Sequence, residues 1–444
     1  MPHSEIFQFN HALLLSCLAI HCLLGASVFW IAVQYLRHRQ QALVNEARLL
    51  ALPLPPENDL PGVLIQLPIF NEGALIARVA EAVKSLDWPA ARLHVQILDD
   101  STDRSTDLSE VAARGLRASG IDAAVVARGH RLGFKAGALA EGLRRSKEEF
   151  VAILDADYVP GREFLRACMR PLMNDGGLGF VQARCDYLNA GDDIVTYAQQ
   201  RILDAHFAVE QAARNWSGQV MPFNGTCGIW RRAAIDSAGG WQGDTLAEDL
   251  DLSYRAQLKG WHALFLSTVA VKGELPESMG VWRLQQFRWT KGFAEAGRKL
   301  LWPVWRSHLS VGQKLVSTLH LGSGLLGPLF ALTVATAAID LTVGYGLTWP
   351  VAALIALSLL EGAIIGPAML ILISQVFVRG SRLSSELPRL PAVVGLQILM
   401  GLANLRGTVQ ALIGRGTAFE RTPKLATQSA VPSGHTRYAP ETGP

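Results

Sequence analysis

Apolar residues are concentrated in a few long stretches, and the first of these lies close to the N-terminus. Residues 11–36 are almost wholly apolar and long enough for a helix to cross a hydrocarbon core of about 30 Å. Positive charges follow this stretch, at Arg37, Arg39 and Arg48, whereas a signal peptide carries them before its apolar core. The pattern predicts a membrane anchor over residues 1–40, with the N-terminus outside and the following chain in the cytoplasm.

The C-terminal region, residues 314–413, contains three further apolar stretches. Four full spans would leave the short tail, residues 414–444, outside the cell, but its basic residues favour the cytoplasmic side. The sequence therefore leaves the number of spans and the side of the C-terminus open. The stretches cover residues 316–341, 349–376 and 390–413, with a turn at Gly344-Tyr345-Gly346, interruptions at Asn404 and Arg406, and tail cations at Arg415, Arg421 and Lys424.

Between the membrane segments, residues 50–280 alternate short β-rich runs with helical stretches. This alternation is typical of an α/β domain. In an open α/β sheet, ligands bind beyond the carboxyl ends of the strands, and polar residues follow three of the predicted strands. We therefore expect a cytoplasmic domain with its site at one edge of the sheet. Strands are predicted at 63–70, 93–98, 124–127, 150–154, 178–183 and 262–266, and helices at 74–86 and 135–145.

Composition and charge narrow the class of protein. Half of the residues (50%) are hydrophobic and only 18% are charged, an apolar excess that agrees with membrane embedding. The net charge of +3 is too small to indicate a nucleic-acid-binding surface. The five cysteines show neither a C-x-x-C pair nor metal-ligand spacing, which favours buried, reduced thiols.

Acidic residues that follow predicted strands are candidates for binding a metal and a nucleotide. Asp155 and Asp157 follow the apolar run FVAIL, and two carboxylates at a strand end suit Mg²⁺ or Mn²⁺ with positions open for diphosphate oxygens. Asp99 and Asp100 follow HVQIL, where one carboxylate binds the nucleoside and the other approaches the metal; capping of the next helix is the alternative role. Glu72, after QLPIF, is predicted to bind the base or ribose.

Two charged segments open predicted helices and supply a cation and a base. Residues 130–137 (HRLGFKAG) form a basic, glycine-spaced turn, and its cations, including Lys135, suit an anionic nucleotide unless they are simply solvated. The other charged segment is Glu248-Asp249, which begins a further predicted helix. Transfer to a hydroxyl group needs a base, for which Asp249 is the candidate, and one such base favours single displacement with inversion.

A Q-x-x-R-W motif precedes the C-terminal apolar stretches. The guanidinium of Arg288 suits diphosphate oxygens, Gln285 adds hydrogen bonds, and the indole of Trp289 offers a stacking surface for a sugar ring. The motif lies within residues 281–312, whose mixture of Trp, Arg and Lys predicts helices along the membrane interface. An Arg/Trp pair that only contacts lipid headgroups is the alternative.

Together these motifs resemble the family 2 glycosyltransferases, specifically the cellulose synthase-like membrane enzymes of the glucomannan synthase branch and their bacterial relatives. The resemblance covers roughly residues 60–300 and implies a GT-A-type (Rossmann-like) fold. It assigns Asp100 and Asp157 to the nucleotide and metal, and Asp249 to the general base. The motifs that carry it are QLPIFNE (66–72), LDDSTD (98–103), KAGAL (135–139), DAD (155–157), VQAR (181–184), FNGT (223–226), EDLDL (248–252) and QQFRW (285–289).

The resemblance also implies an acceptor site. It assigns Trp289 to the acceptor end, with Glu248 nearby. A departure from the family pattern occurs where cellulose synthases carry a cysteine-containing acceptor motif, and this leaves the donor and acceptor sugars open. The residues at that place are Phe223, Asn224, Gly225 and Thr226.

The expected function is inverting, metal-dependent transfer of a hexose from UDP-glucose or GDP-mannose to a growing β-glycan. The protein is expected in a bacterial inner (plasma) membrane, with its catalytic domain in the cytoplasm. The alternative is addition of one or a few sugars to a lipid such as ceramide or diacylglycerol, because Q-x-x-R-W also occurs in ceramide glucosyltransferases. A membrane receptor that only binds a nucleotide or sugar is disfavoured by the number of carboxylates.

Overall fold

The computed structural model describes residues 2–342 and 349–414. The predicted turn at 344–346 and the tail cations Arg415, Arg421 and Lys424 lie outside these residues. A seven-stranded mixed sheet forms the centre of the described fold. Its strands are β1 (Val63–Ile69), β2 (Leu93–Asp99), β3 (Asp122–Ala127), β4 (Phe150–Ile153), β5 (Leu178–Tyr187), β6 (Gly228–Arg231) and β7 (His262–Gly273).

The strand order is β3-β2-β1-β4-β6-β5-β7. β1 pairs in parallel with β2 and β4, and β2 with β3, whereas β6 runs antiparallel between β4 and β5. The near-continuous apolar runs of β1 and β4 fit strands that are covered on both faces. All six predicted strands are present, which confirms the α/β prediction. β6 was not predicted, because only two of its four residues, GIWR, are apolar, whereas the equally short β4, FVAI, is apolar throughout.

Helices cover both faces of the sheet. One face packs on α2, α3 and α5, and the other on α4, α8 and α9. The helices are α1 (Pro2–Leu50), α2 (Leu75–Lys84), α3 (Ser105–Ala118), α4 (Phe134–Arg144), α5 (Phe164–Asn174), α6 (Ile194–Asp204), α7 (Gln211–Trp216), α8 (Arg232–Ser237), α9 (Glu248–Leu258), α10 (Met279–Arg306), α11 (Val311–Gly322), α12 (Leu326–Thr342), α13 (Trp349–Leu359), α14 (Gly366–Phe377), α15 (Leu383–Glu386), α16 (Leu390–Ala403) and α17 (Leu405–Leu412).

The second face of the sheet shares its core with the apolar helices. Ile31 and Tyr35 of α1 belong to the same buried cluster as Phe180 and Trp230 of the sheet. The carboxylate of Glu46, near the end of α1, accepts hydrogen bonds from backbone N–H groups of a bulge in β7. These bonds are 3.0 Å from Ser267 and 2.7 Å from Thr268. The N-terminal helix is therefore fixed to the α/β domain both through the shared core and through Glu46.

Three helical stretches in the described parts of the chain are long and apolar enough to cross a membrane. They are Gln8–Leu50, Val311–Thr342 and Leu390–Leu412, which coincide with three of the four predicted apolar stretches. The fourth, at 349–376, is helical but divided, because a π-helical turn at Leu360–Ile365 separates α13 from the shorter apolar helix α14.

The predicted interfacial segment is one 28-residue helix, α10. Ser278 caps its N-terminus by accepting a hydrogen bond of 3.2 Å from the N–H of Val281. Trp282 is buried, whereas Trp302 and Trp305 near the other end are exposed. Buried residues recur along the whole helix, from Trp282 to Val304, and contact of its exposed tryptophans with a membrane interface stays a prediction.

Candidate active site

A cleft with a cavity volume of about 310 Å³ lies at the carboxyl ends of β1, β2 and β4. It therefore occupies the place where open α/β sheets bind their ligands. The structure brings all the predicted site residues except Asp99 to its walls. Those residues are Glu72, Asp100, Lys135, Asp155, Asp157, Phe223, Asn224, Gly225, Thr226, Glu248, Asp249, Gln285, Arg288 and Trp289.

Asp100 lies at one end of the cleft and is held by an arginine. Arg128 donates to both carboxylate oxygens of Asp100, from Nε at 2.9 Å and from Nη2 in a shorter contact. Nearby, the guanidinium of Arg131 lies 3.3 Å from the ring centroid of Phe70 and lines the cleft. Planar cationic and aromatic groups beside a carboxylate suit a nucleoside.

Asp99 lies behind the cleft rather than in its wall. Its side chain is 3% exposed, and Oδ1 accepts a hydrogen bond of 2.7 Å from the backbone N–H of Ser101. Successive residues at a strand end point in opposite directions, so Asp99 faces inward when Asp100 faces the cleft. This placement favours a turn-stabilising role for Asp99.

Lys135 connects the centre of the cleft to the turn that follows Phe223. Its Nζ donates to Oδ1 of Asp155 at 2.6 Å and to the carbonyl of Gly225 at 3.0 Å. Desolvation lowers the pKa of Lys135, but Asp155 and the carboxylates beyond it outweigh this and raise that pKa. The backbone N–H of Asp155 donates to Oγ1 of Thr226 at 2.9 Å. Lys135 therefore stays charged beside the acidic residues.

Asp157 lies deeper than Asp155 in the same turn. It is buried, and its backbone carbonyl accepts a hydrogen bond of 3.2 Å from Arg78, which also pairs with Glu274. Among the described residues no group of three or more His, Cys, Asp or Glu side chains forms a complete metal site. Two carboxylates at a strand end still fit Mg²⁺ or Mn²⁺, because these ions commonly take one or two protein ligands and complete their shell with phosphate oxygens and water.

Asp249 lies in the first turn of α9, with Glu248 beside it. Its Oδ1 accepts a hydrogen bond of 2.8 Å from the N–H of Leu250. Desolvation in the cleft and the charge of Glu248 raise the pKa of Asp249 to about 7, against the opposing charge of Lys135. The pKa of Glu248 is also raised, chiefly by desolvation. A carboxylate with this pKa can take up a proton near neutral pH.

Gly225 brings the backbone close to these groups. Its φ of +77° is in the left-handed region, and a Cβ built on it would lie 2.8 Å from Oδ2 of Asp249 and 3.4 Å from Nζ of Lys135. A side chain at this position would therefore collide with the predicted base. The turn needs glycine for both its conformation and its space.

The Q-x-x-R-W motif faces the cleft from α10. Gln285 is buried, and desolvation lowers the pKa of Arg288. Carboxylates of the cleft oppose this shift. Glu248 has the largest effect, followed by Asp155 and Glu72. Arg288 therefore lies within electrostatic reach of both sides of the site.

Trp289 forms part of an aromatic wall. Its ring packs edge-to-face against Phe207, with centroids 5.9 Å apart. Opposite lie the residues of the FNGT segment. Phe223 is buried against Phe180 and Trp230, whereas Asn224 exchanges two hydrogen bonds with the amide of Gln211, at 2.7 and 2.8 Å.

Several lining residues were not predicted as site residues. Arg131 belongs to the basic turn whose cations were predicted to suit an anionic nucleotide, but it was not named individually as a site residue. His206 and Phe207 come from a segment without a motif, and so does Arg128, which holds Asp100 but does not itself line the cleft; the positions of all three depend on long-range packing. One feature of the sequence could have indicated these contacts. His206, Glu210 and Arg214 are each four residues apart on a helical stretch, a spacing that allows their side chains to pair.

Comparison with known proteins agrees with this geometry. The family described as "Glycosyltransferase like family 2" matches residues 61–292. Glucomannan 4-beta-mannosyltransferase 2 of Arabidopsis thaliana is 42% identical over 254 residues, 56% of this chain and 48% of that protein. Glucomannan 4-beta-mannosyltransferase 1 of Cyamopsis tetragonoloba is 42% identical over 244 residues, 54% of this chain and 46% of that protein. The chain thus spans about half the length of the curated relatives it matches.

A solved structure shows the same fold. The mannosyltransferase PcManGT of Pyrobaculum calidifontis, in complex with GDP-Man and Mn²⁺, matches with a TM-score of 0.56 and 21% identity. The match covers 90% of this chain and 100% of that one. The predicted GT-A-type fold is therefore confirmed.

Proposed function

The chain belongs to glycosyltransferase family 2, and we propose that it transfers mannose from GDP-mannose to a growing β-glycan of the mannan or glucomannan type. The observation that carries the proposal is the meeting of Lys135, Asp155 and Asp249 around the Gly225 turn. Mannose is preferred to glucose because the matched relatives are named glucomannan 4-beta-mannosyltransferases. UDP-glucose is the alternative donor.

The donor end of the cleft has charges that suit a nucleoside diphosphate. Arg288 and Gln285 would bind the diphosphate from α10, while Lys135 faces it from α4. Arg131 and the Asp100–Arg128 pair would contact the nucleoside. Asp155 and Asp157 would hold Mg²⁺ or Mn²⁺, which when bound offsets the negative charge of the leaving nucleotide.

In the transfer step, an acceptor hydroxyl oxygen bonds to the anomeric carbon as the bond from that carbon to the diphosphate breaks. Asp249 takes the hydroxyl proton and later releases it to water. Trp289 holds the acceptor ring by stacking. Attack on the face opposite the leaving group converts an α-linked donor into a β-linked product, so the step inverts the configuration.

The apolar helices support an integral membrane protein with the cleft beside the bilayer. Because Glu46 and the shared core fix α1 to the catalytic domain, the site would stay at a constant height above the membrane. The cytoplasmic orientation and the bacterial inner membrane stay predictions, and the two relatives named above are plant proteins.

The test uses the full chain in lipid nanodiscs with radiolabelled GDP-mannose or UDP-glucose and Mn²⁺. We expect nucleotide release and a polymer that β-mannanase digests. Asp249→Asn should stop both, whereas Asp236→Asn, on the exposed side of α8, should not. A chloroform-soluble product would instead support the lipid acceptor, and binding of donors without any turnover would contradict an enzymatic function.

A further inference from the structure

His206 lies in the wall of the cleft but has no part in the donor site described above. It belongs to a π-helical turn, Ala205–Glu210, between α6 and α7. Its side chain is 36% exposed, and both His206 and Phe207 line the cleft, whereas Ala205, Ala208 and Val209 are buried. π-Helical turns are rare and frequently occur at functional sites.

The orientation of the His206 ring is set by a carboxylate. Nδ1 lies 2.8 Å from Oε2 of Glu210, and Oε1 of Glu210 accepts hydrogen bonds from Nε and Nη2 of Arg214 at 3.0 and 2.8 Å. Burial raises the pKa of Glu210, but Arg214 and His206 outweigh it and hold that pKa well below its usual range. An ionised Glu210 accepts the proton on Nδ1, which leaves Nε2 to exchange hydrogen bonds with a ligand.

The π-helical turn is anchored at both ends. Asp204, the residue before it, is fully buried and accepts hydrogen bonds of 2.7 Å from both Nε and Nη2 of Arg379, which follows α14. Glu210, its last residue, is held by Arg214. A segment fixed in this way presents His206 in one position without ordering on ligand binding.

The neighbours of His206 indicate which ligand it meets. Its ring lies 4.8 Å from that of Phe207, and Phe207 packs against Trp289, the predicted stacking surface for the acceptor. Sugar sites combine an aromatic face, which covers the C–H side of the ring, with polar groups at the rim, which bind hydroxyls. His206 is a polar group beside this face.

We infer that His206 is an acceptor-binding residue, whose Nε2 accepts a hydrogen bond from a hydroxyl of the sugar stacked on Trp289. Glu210 and Arg214 are its positioning residues. This inference rests on the proposed function, since it takes the acceptor to be a glycan. It assigns His206 to the acceptor and not to the donor.

The experiment measures transfer from GDP-mannose to a soluble manno-oligosaccharide by the full chain in nanodiscs. For His206→Ala we expect the KM for the oligosaccharide to rise at least about fivefold, as for loss of one hydrogen bond. The KM for GDP-mannose and the slow release of GDP without acceptor should stay within about twofold of wild type, since no donor contact changes. His206→Gln, which keeps a hydrogen-bonding group, should recover part of the loss.

His308→Ala is the matched control, because His308 is exposed at the end of the α10–α11 turn and outside the cleft. Glu210→Gln should raise the KM for the oligosaccharide by a smaller factor. An unchanged KM for the oligosaccharide in His206→Ala overturns the inference. The inference is also overturned if the KM values for GDP-mannose and for the oligosaccharide rise equally and the thermal midpoint of this variant falls. If wild type releases GDP but elongates no oligosaccharide, the proposed function itself fails.

Discussion

Ionisation of Asp249 is the property of the site that is most directly open to measurement. The proposed reaction needs this carboxylate without its proton, and the structure raises its pKa to about 7 through desolvation and the charge of Glu248. Two perturbations follow. Lowering the pH protonates Asp249, and Asp249→Asn removes the base while it keeps the shape of the side chain.

The expected magnitudes follow from that pKa. One pH unit below it, about a tenth of the carboxylates are ionised, so kcat/KM for the donor at about pH 6 should be about a tenth of its plateau value. Above about pH 8 Asp249 is almost wholly ionised, so its ionisation should no longer make the rate depend on pH. Asp249→Asn should lower kcat about 10²- to 10⁴-fold and abolish the pH dependence near neutrality.

The assay is nucleotide release from GDP-mannose by the nanodisc-embedded protein between about pH 5.5 and 8.5. Asp236→Asn, a change of the same kind outside the cleft, should retain the wild-type profile. A wild-type profile that is flat through neutral pH would mean that Asp249 does not titrate there. If Asp249→Asn retained wild-type kcat, the assignment of the base would be refuted outright.

Three further predictions concern other parts of the site. Gly225→Ala should lower the transfer rate about tenfold to a hundredfold, because its Cβ would lie 2.8 Å from Oδ2 of Asp249, while Gly176→Ala, with open space around it, should behave as wild type. Arg128→Met should destabilise the protein by about 3–5 kcal/mol, measured as a lower thermal midpoint, because it leaves the buried carboxylate of Asp100 without its partner. Chelation of divalent cations should stop nucleotide release, and Mn²⁺ should restore it; full activity in excess chelator would contradict the proposed metal dependence.

The acidic half of the site could be predicted from the sequence because strand geometry is regular. Asp100 follows β2 and Asp155 follows β4, and β1 lies between these two parallel-paired strands. Residues after the carboxyl ends of such strands must meet at one edge of the sheet. The same geometry separates Asp99 from Asp100, since neighbouring residues on a strand point to opposite sides. Two adjacent aspartates at a strand end, such as Asp99 and Asp100, therefore contribute only one side chain to the cleft.

The remaining parts of the site depend on packing between distant segments. β6 is recognisable only through its pairing with β4 and β5, because only two of its four residues are apolar. Arg128 is 28 residues from Asp100 and carries no motif. Phe207, in the π-helical turn before α7, contacts Trp289 of α10, which is distant in the sequence. Neither local propensity nor sequence motifs predict these contacts.

The proposed donor and acceptor sides of the cleft share α10 and otherwise depend on different parts of the molecule. The donor side follows from the sheet, since Asp100 and Asp155 are attached to β2 and β4. The helix α10 supplies both Trp289 of the proposed acceptor wall and Arg288 of the proposed donor end, whereas the π-helical turn, whose first anchor is Arg379 beyond the apolar helix α14, belongs to the proposed acceptor wall alone. The strand ends of the sheet therefore account for the proposed donor carboxylates, whereas the proposed acceptor wall also depends on Arg379 and on the apolar helix before it.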